Sequence, residues 1–509
     1  MINAKKNVKI DRFYLAEDGF PFTDAIRQIM ELFDVQPAAA RPGCTSSASL
    51  DSVLVENCLD VQSDLATVIT TVHYPVNDGV EQLVVSNCCS LADGQKAAGE
   101  RAVKLNILTA MRRLTNRHAV PWGILRGIRP GKIVHRLLDK NSTFVEAVNT
   151  LTAQYGVEYD KAELITGIAL RQRRFLLPLQ EAARTVSVYI GIPFCPSRCL
   201  YCSFPSFVLP GEEQTGLFLQ GLAKEISLVR ALIEQYHLTV QTVYIGGGTP
   251  TSLAGSQFDE MLSEVRSAFV TDATSEFTVE AGRPDSMDDG KITAMRRLGV
   301  TRVSVNPQSM QDKTLRQIGR KHTVRDIISL FKKIRQAGIP VINMDVIAGL
   351  PGENESDITD TMEQICHLEP DNLTLHTLAL KRGSLLKASL TEHNLPSHET
   401  TQNMHRIAAQ YAAKLHMLPY YLYRQKHMSG NLENVGYARR GAECLYNIQI
   451  IEERQTVLGI GPAATTKIVN PVDWSLENRF NAKDPATYVN KIDDVHVKRC
   501  QLFAQAFAH

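Results

Sequence analysis

Cys195, Cys199 and Cys202 fall within eight positions, in Ile-Gly-Ile-Pro-Phe-Cys-Pro-Ser-Arg-Cys-Leu-Tyr-Cys. Soft thiolates grouped this closely suit an iron–sulfur cluster, zinc or copper(I). Zinc usually wants a fourth Cys or His nearby, and the next histidine after Cys202 is His237. A four-iron cluster is normally held by four thiolates. Three thiolates leave one iron open, so the spacing points to chemistry at the cluster rather than electron storage. The bland alternative, three buried and idle cysteines, fits poorly with a loop that directly follows an apolar run. Of the ten cysteines, Cys44, Cys58, Cys366, Cys444 and Cys500 are isolated and Cys88-Cys89 adjacent, which is not the pattern of a disulfide framework.

Other reactive residue types sit where an α/β fold would use them. Apolar strand candidates occur at Val186–Pro193, Thr242–Gly246, Glu276–Glu280, Arg302–Asn306, Val341–Ile347 and Leu373–Leu378. Amphipathic helices are expected between them, at Leu217–Gln235, Asp259–Phe269, Arg325–Ala337 and Asp357–Leu368. Six such repeats predict a parallel sheet with helical crossovers, either a partial α/β barrel or a doubly wound sheet. In both, chemistry collects at the carboxyl ends of the strands. Cys195 follows the first strand, Gly246-Gly247-Gly248-Thr249 the second, and Glu280 ends the third. Asn306-Pro307-Gln308 closes the fourth and Asp345 lies late in the fifth. Bare glycine amides let a backbone approach a ligand and bind a carboxylate, although a Gly triplet alone is more often a turn. Glu280 is either a polar strand end or an acceptor for sugar hydroxyls. Asp345 in an apolar strand needs a partner, since an unpaired buried charge is costly. Arg320, in Ile-Gly-Arg-Lys-His, is a candidate partner or a solvated turn.

Residues 1–185 read as a separate α+β domain of unassigned role. A helix is expected near Asp24–Phe33 and a Pro/Ala/Ser-rich stretch at Gln36–Ser49, then β-rich runs Ala66–His73 and Val80–Ser86 around an Asn77-Asp78-Gly79 hairpin signal. Helices follow from Gly94 to about Arg117 and at Lys132–Asp139, Thr143–Tyr155 and Lys161–Leu176. Residues 186–395 form the strand–helix domain, and 396–509 a smaller, mainly helical and irregular region that caps the sheet or stands alone. At 44% apolar, 21% charged and net charge +1, the chain of 509 residues reads as a soluble multidomain protein, and its balance of charge advertises neither nucleic acid nor membrane. No run approaches the length of a membrane-spanning helix and no apolar signal core follows the start, so the cytoplasm is the expected compartment.

C-x3-C-x2-C after a strand, with Tyr201 just before the last cysteine, resembles the signature of radical S-adenosylmethionine enzymes. That resemblance implies a partial (β/α)6 barrel and a 4Fe–4S cluster on Cys195, Cys199 and Cys202. The open iron would chelate S-adenosylmethionine, whose reductive cleavage yields a 5′-deoxyadenosyl radical. Tyr-Ile-Gly-Gly-Gly-Thr-Pro-Thr, Val-Glu-Ala, Asn-Pro-Gln-Ser and Met-Asp-Val-Ile-Ala-Gly-Leu-Pro-Gly narrow the likeness. Over residues 186–465 the chain resembles the oxygen-independent coproporphyrinogen III oxidase (dehydrogenase) family. The N-terminal extension, with Trp-Gly-Ile-Leu-Arg-Gly-Ile-Arg-Pro at 122–130, resembles its HemZ-like branch.

The family likeness implies that Tyr189, Tyr201, Gly247, Gly248, Thr249 and Glu280 line an S-adenosylmethionine site. It implies that Gln308, Arg320, Asp345 and Ala379 contact a second molecule of that cofactor. It further implies a porphyrinogen substrate and an electron donor such as flavodoxin or ferredoxin. Cationic candidates for the substrate carboxylates are Arg112, Arg113, Arg117, Arg126, Arg129, Lys132, Arg136, Arg171, Arg173 and Arg174, though arginines at helical spacing more often make a wet surface. Two departures are visible. The oxidase has a further, non-ligand cysteine two positions after the third, where Phe204 stands here. The related haem chaperones carry a His-Asn pair, where this chain reads Glu-Cys-Leu-Tyr-Asn-Ile-Gln at 443–449. A haem-carrying protein, with Cys444 as iron ligand, and a radical enzyme for another substrate are the competing readings.

Overall fold

The computed structural model describes residues 10–15, 22–38, 52–62, 65–76, 79–90, 94–116, 120–425 and 428–507. Backbone contacts divide the chain into two compact units: residues up to Gly167 with Gly430–Leu432, and Ile168–Ser429 with Glu433 onward.

The first unit is a five-stranded sheet backed by helices. Strands Ser52–Gln62, Leu65–Val76 and Gly79–Ser90 form an antiparallel meander, with Val76 opposite Gly79 across the expected hairpin. Asn77 and Asp78 of that turn lie outside the described residues, as does most of Gln36–Ser49. Strand Ser52–Gln62 was not among the expected elements, because Glu-Asn-Cys interrupts its alternation. The helix Gln95–Thr115 buries Ile107, Ala110 and Met111 against Val53, Val55, Val68 and Val72 of the sheet. A capping box on Thr143 and Glu146 starts the helix Phe144–Tyr155.

The second unit is built on six parallel strands: β1 (Thr185–Ile192), β2 (Thr239–Gly247), β3 (Glu276–Glu280), β4 (Arg302–Gln308), β5 (Val341–Ala348) and β6 (Asn372–Thr377). They lie side by side in chain order. Helices follow each in turn, the longest being Glu212–Gln235 after β1. These strands are almost continuously buried, as strands covered on both faces must be. This is the expected (β/α)6 repeat. The helix Asp289–Arg297, whose mean hydropathy is low, was not anticipated.

The tail adds something the sequence reading did not contain. Besides the helices His398–Lys414, Leu445–Glu452 and Pro485–Phe507, residues 396–509 supply five further strands of the same sheet. β7 (Leu418–Tyr423) and β8 (Asn434–Ala438) extend it beyond β6, antiparallel. β9 (Thr456–Ile460) runs parallel to β1, and β10 (Thr465–Val469) and β11 (Leu476–Phe480) continue outward. No break between compact units falls near 395. Aromatic runs such as Pro-Tyr-Tyr-Leu-Tyr at 419–423 read as irregular because Pro419 and the register shift beside it hide the strand period.

The C-terminal helix Pro485–Phe507 is fixed by a buried charge cluster. Glu225 accepts hydrogen bonds from Arg499 Nη2 (2.7 Å), Tyr488 Oη (2.7 Å), Asn481 Nδ2 (2.9 Å) and the Gly461 amide (2.8 Å). Arg499 and Glu225 are 1% and 2% exposed. Gly461 in turn presses on Gly191 of β1, where an added Cβ would meet the Gly191 carbonyl at 2.3 Å. The cluster therefore steadies the strand that leads into the cysteine loop. Removing one member of a buried ion pair strands the other charge and costs about 3–5 kcal/mol. Arg499→Met should lower the unfolding free energy from urea titration of the full chain by that amount, with an earlier midpoint, and an unchanged free energy would remove the cluster from the account.

Candidate functional site

The site begins where β1 ends. Phe194-Cys195 forms a two-residue parallel pair with Phe207-Val208, which closes the cysteine loop at its base. The amides of Gly248 and Thr249, just past β2, donate to the carbonyls of Ile192 and Phe194, both at 2.7 Å. This strap needs small residues. Gly247 has φ +107°, and a Cβ on Gly248 would sit 2.6 Å from the Phe194 carbonyl and 3.0 Å from Cys195 Sγ. Thr249 Oγ1 donates to Cys195 Sγ at 3.5 Å. On the other side, the Leu200 amide donates to the Ile318 carbonyl, and the Leu386 amide to the Leu200 carbonyl.

All three cysteines open onto one cavity of about 420 Å³, and so do Tyr189, Tyr201, Gly247, Gly248, Thr249, Glu280, Gln308, Arg320, Asp345 and Ala379. Every residue that the family likeness assigned to the cluster or to S-adenosylmethionine thus lines a single chamber at the carboxyl ends of the strands. Burial raises the thiols of Cys195 and Cys202. Among the described residues no three His, Cys, Asp or Glu side chains gather tightly enough for a single metal ion. A cluster makes a different demand, one thiolate to each of three irons. The three thiols on one short loop, with the bare Gly248 backbone against Cys195, fit it.

Two polar groups define the chamber beyond the loop. In the first, Tyr244 Oη donates to Glu280 Oε1 at 2.6 Å. Tyr244 also stacks on Tyr446, with ring centroids 4.5 Å apart, and Tyr189 stacks against both. Burial pushes the Glu280 carboxyl up to about 7, the Tyr244 hydroxyl pulls it down, and the charge of Asp345 raises it again. In the second, Asn343 Nδ2 donates to Asp345 Oδ1 at 2.8 Å, and His376 Nε2 lies 3.7 Å from Asp345 Oδ2. Burial opposes the Asp345 charge, but His376 and Asn343 hold the carboxyl below its usual range. Tyr423 Oη is 3.2 Å from His376 Nδ1.

Arg320 is 6% exposed. Its Nη1 donates to the Asn306 carbonyl at 2.6 Å and its Nη2 to Tyr201 Oη at 3.2 Å, while Nε has no partner. Asn306 Oδ1 and Gln308 Oε1 are likewise buried without partners. Gln308 holds φ +67°, an unfavourable conformation for a residue with a side chain, where β4 shifts register against β5. Buried groups left unpaired and backbone strained at a cavity wall are the marks of a ligand site.

Several site residues escaped the sequence reading. Arg283 reaches Ser197 O and Oγ, both at 2.9 Å, and lies 3.8 Å from Cys199 Sγ, while Asp285, itself paired with His322, holds it in place. It follows the end of β3, so the strand-end rule could have found it. Tyr244 shares the inward face of β2 with Gly246 and was legible by alternation. Tyr423 lies on a tail strand and Tyr446 on the helix Leu445–Glu452, neither of which was anticipated, whereas His376 lies on the expected strand β6 and only its pairing with Asp345 was missed. The proposed substrate cations behave differently. Arg112 donates to the carbonyls of Gly156 and Val120, Arg171 to that of Pro419, and Arg174 pairs with Glu443. Those three work within the fold, and Arg117 lies outside the described residues.

The site and fold define a class, and comparison agrees: residues 189–365 match the pattern of the radical SAM superfamily. The chain is 37% identical over 80% of its length, and 80% of the relative's, to the oxygen-independent coproporphyrinogen-III oxidase-like protein HemZ of Bacillus subtilis. It belongs to that family of radical S-adenosylmethionine proteins, which use a 4Fe–4S cluster and S-adenosylmethionine. It is also 27% identical to the haem chaperone HemW of Escherichia coli, over 56% of this chain and 71% of that one. The solved structure of coproporphyrinogen III oxidase (HemN) of Escherichia coli shares the fold, with a TM-score of 0.50 at 22% identity, covering 62% of this chain and 72% of that one.

Because the folded Glu280 carboxyl titrates near 7 against an ordinary 4.5, the folded cluster-free protein holds that proton more tightly than the unfolded chain. Its contribution to stability is therefore complete below about pH 4.5 and is lost as pH rises through about 7. Glu280→Gln should remove on the order of 1–3 kcal/mol of the stability lost between those limits, read from urea titrations of the cluster-free protein. Parallel pH profiles for variant and parent would contradict the assignment.

Proposed function

We propose that the protein is a cytoplasmic, oxygen-independent oxidase that decarboxylates two propionate side chains of coproporphyrinogen III to give protoporphyrinogen IX. The observation that carries this reading is the single chamber in which the cysteine loop, the glycine strap and the Arg320–Asp345 polar wall meet, in a chain so extensively similar to HemZ.

Cys195, Cys199 and Cys202 would hold the cluster. When bound, the cluster supplies the electron that cleaves S-adenosylmethionine and sets free a 5′-deoxyadenosyl radical. The chain's own residues do the placing. Tyr189, Tyr201, Gly247, Gly248 and Thr249 surround the open side of the cysteine loop, and the bare amides suit a carboxylate. Glu280, aimed by Tyr244, can accept from ribose hydroxyls. The stacked Tyr189, Tyr244 and Tyr446 rings form a dry wall beside it. Gln308, Arg320, Asp345 and Ala379 form the opposite wall, with an ionised carboxylate and a cation suited to a second S-adenosylmethionine or to substrate. Each propionate would give a hydrogen atom from its β-carbon to a 5′-deoxyadenosyl radical, which leaves as 5′-deoxyadenosine, and the substrate radical would then release carbon dioxide and pass one electron to a one-electron acceptor, leaving a vinyl group.

Haem carriage is the weaker reading. Cys444 is 2% exposed and donates to Glu276 Oε1 at 3.2 Å, and burial raises its thiol well above the usual value. A thiol so engaged is a poor iron ligand. Anaerobic incubation of the reconstituted protein with S-adenosylmethionine, a reductant and coproporphyrinogen III should give protoporphyrinogen IX by mass spectrometry. Cofactor cleavage with every propionate retained would overturn the proposal.

A further inference from the structure

Arg320 and Arg283 both bury a guanidinium beside the cysteine loop, and they differ in one respect. Arg320 keeps a donor in reserve, because its Nε is buried without a partner. Arg283, 3% exposed, keeps none. A guanidinium carries five N–H groups in a fixed fork. In Arg283, Nε donates to Asp285 Oδ1 at 3.1 Å and Nη2 to Asp285 Oδ2 at 2.7 Å, a two-pronged pair. Nη2 also donates to Ser197 Oγ and Nη1 to the Ser197 carbonyl, both at 2.9 Å. The fifth N–H, on Nη1, is left for Cys199 Sγ at 3.8 Å.

This accounting removes Arg283 from the ligand-binding groups: no donor remains for a carboxylate of substrate or S-adenosylmethionine. What it serves is the loop and one sulfur. Ser197, midway between Cys195 and Cys199, is held by both its carbonyl and its hydroxyl, so the loop is fixed against the guanidinium. Cys199 is buried, whereas Cys195 and Cys202 are half-buried. Asp285 engages the Nε edge of the fork, away from the Nη1 that meets the sulfur, so the cation lies nearer Cys199 than the carboxylate does. The arrangement is built into one turn. Arg283 follows the end of β3, the short helical turn Pro284–Ser286 brings Asp285 back to it, and the Ser286 amide and hydroxyl both donate to the Arg283 carbonyl.

Reducing a cluster adds one negative charge, and its potential follows net charge, burial and hydrogen bonds to the sulfurs. A buried cation and an N–H at one ligand sulfur favour the reduced form, and a carboxylate behind the cation limits that effect. We propose that Arg283, held by Asp285, is a positioning residue that sets the reduction potential of the cluster through Cys199. The pair itself transfers no electron and no proton. This rests on the reading of Cys199 as a cluster ligand.

The test is a redox titration of the full chain with its cluster reconstituted, followed by electron paramagnetic resonance without S-adenosylmethionine, so that no turnover is read. Arg283→Gln removes the cation. Its midpoint potential should fall by about 59 mV or more, a tenfold loss in the ratio of reduced to oxidised cluster at a fixed potential. Asp285→Asn keeps the shape of the side chain and leaves the cation uncompensated, so its midpoint should rise. A pair that only braced the loop would shift both variants the same way or neither. A midpoint for Asp285→Asn equal to or below the parent's would overturn the proposal, and this variant decides alone where Arg283→Gln takes up no iron. A failure of the ligand reading appears separately, as a full four-iron complement in Cys199→Ala.

Discussion

The structure depends on a close backbone crossing. Two amides of the glycine strap, on Gly248 and Thr249, meet two carbonyls of the chain entering the cysteine loop, at Ile192 and Phe194. That approach is possible only where no Cβ intervenes. It joins β1 to β2 at their carboxyl ends and sets Cys195 against bare peptide. Everything that faces the cavity is placed relative to this crossing: Glu280 one strand over, Gln308 on the next and Asp345 beyond.

The crossing is held from behind as well as above. β9 pairs with β1 in parallel register from Thr456 to Ile460, and Gly461 abuts Gly191. The Glu225 cluster then fixes Gly461 through its amide. A second carboxylate does similar work near the floor. Glu276 accepts from the amides of Leu445 and Tyr446, so the positive end of the helix Leu445–Glu452 sits on a negative charge. That helix delivers Tyr446 to the Tyr244 ring. The tail is thus part of the architecture of the chamber, and its charges position side chains.

Much of this was legible from residues alone. The six core strands alternate with helices in a pattern dense enough in β-branched residues to place each strand end within two or three positions. The strand-end rule then selected Cys195, Gly247, Glu280, Gln308 and Asp345, which the fold gathers into one chamber. Illegible features share a physical cause. His376 acquires meaning only through a partner distant in sequence, Asp345. The tail strands are only five or six residues long, and the first, Leu418–Tyr423, is interrupted by Pro419, so their period gave no signal. Arg112, Arg171 and Arg174 looked like a cationic face, yet each serves carbonyls or a carboxylate of the fold.

The central proposal is that Cys195, Cys199 and Cys202 would hold the cluster in the chamber that the strap and Glu280 also line, and that S-adenosylmethionine would bind there. Electron paramagnetic resonance of the reconstituted, reduced protein tests it most directly. The account predicts that adding S-adenosylmethionine changes the g-values of the reduced-cluster signal, because the cofactor coordinates the open iron. A signal identical with and without the cofactor, at concentrations that saturate binding, would contradict it.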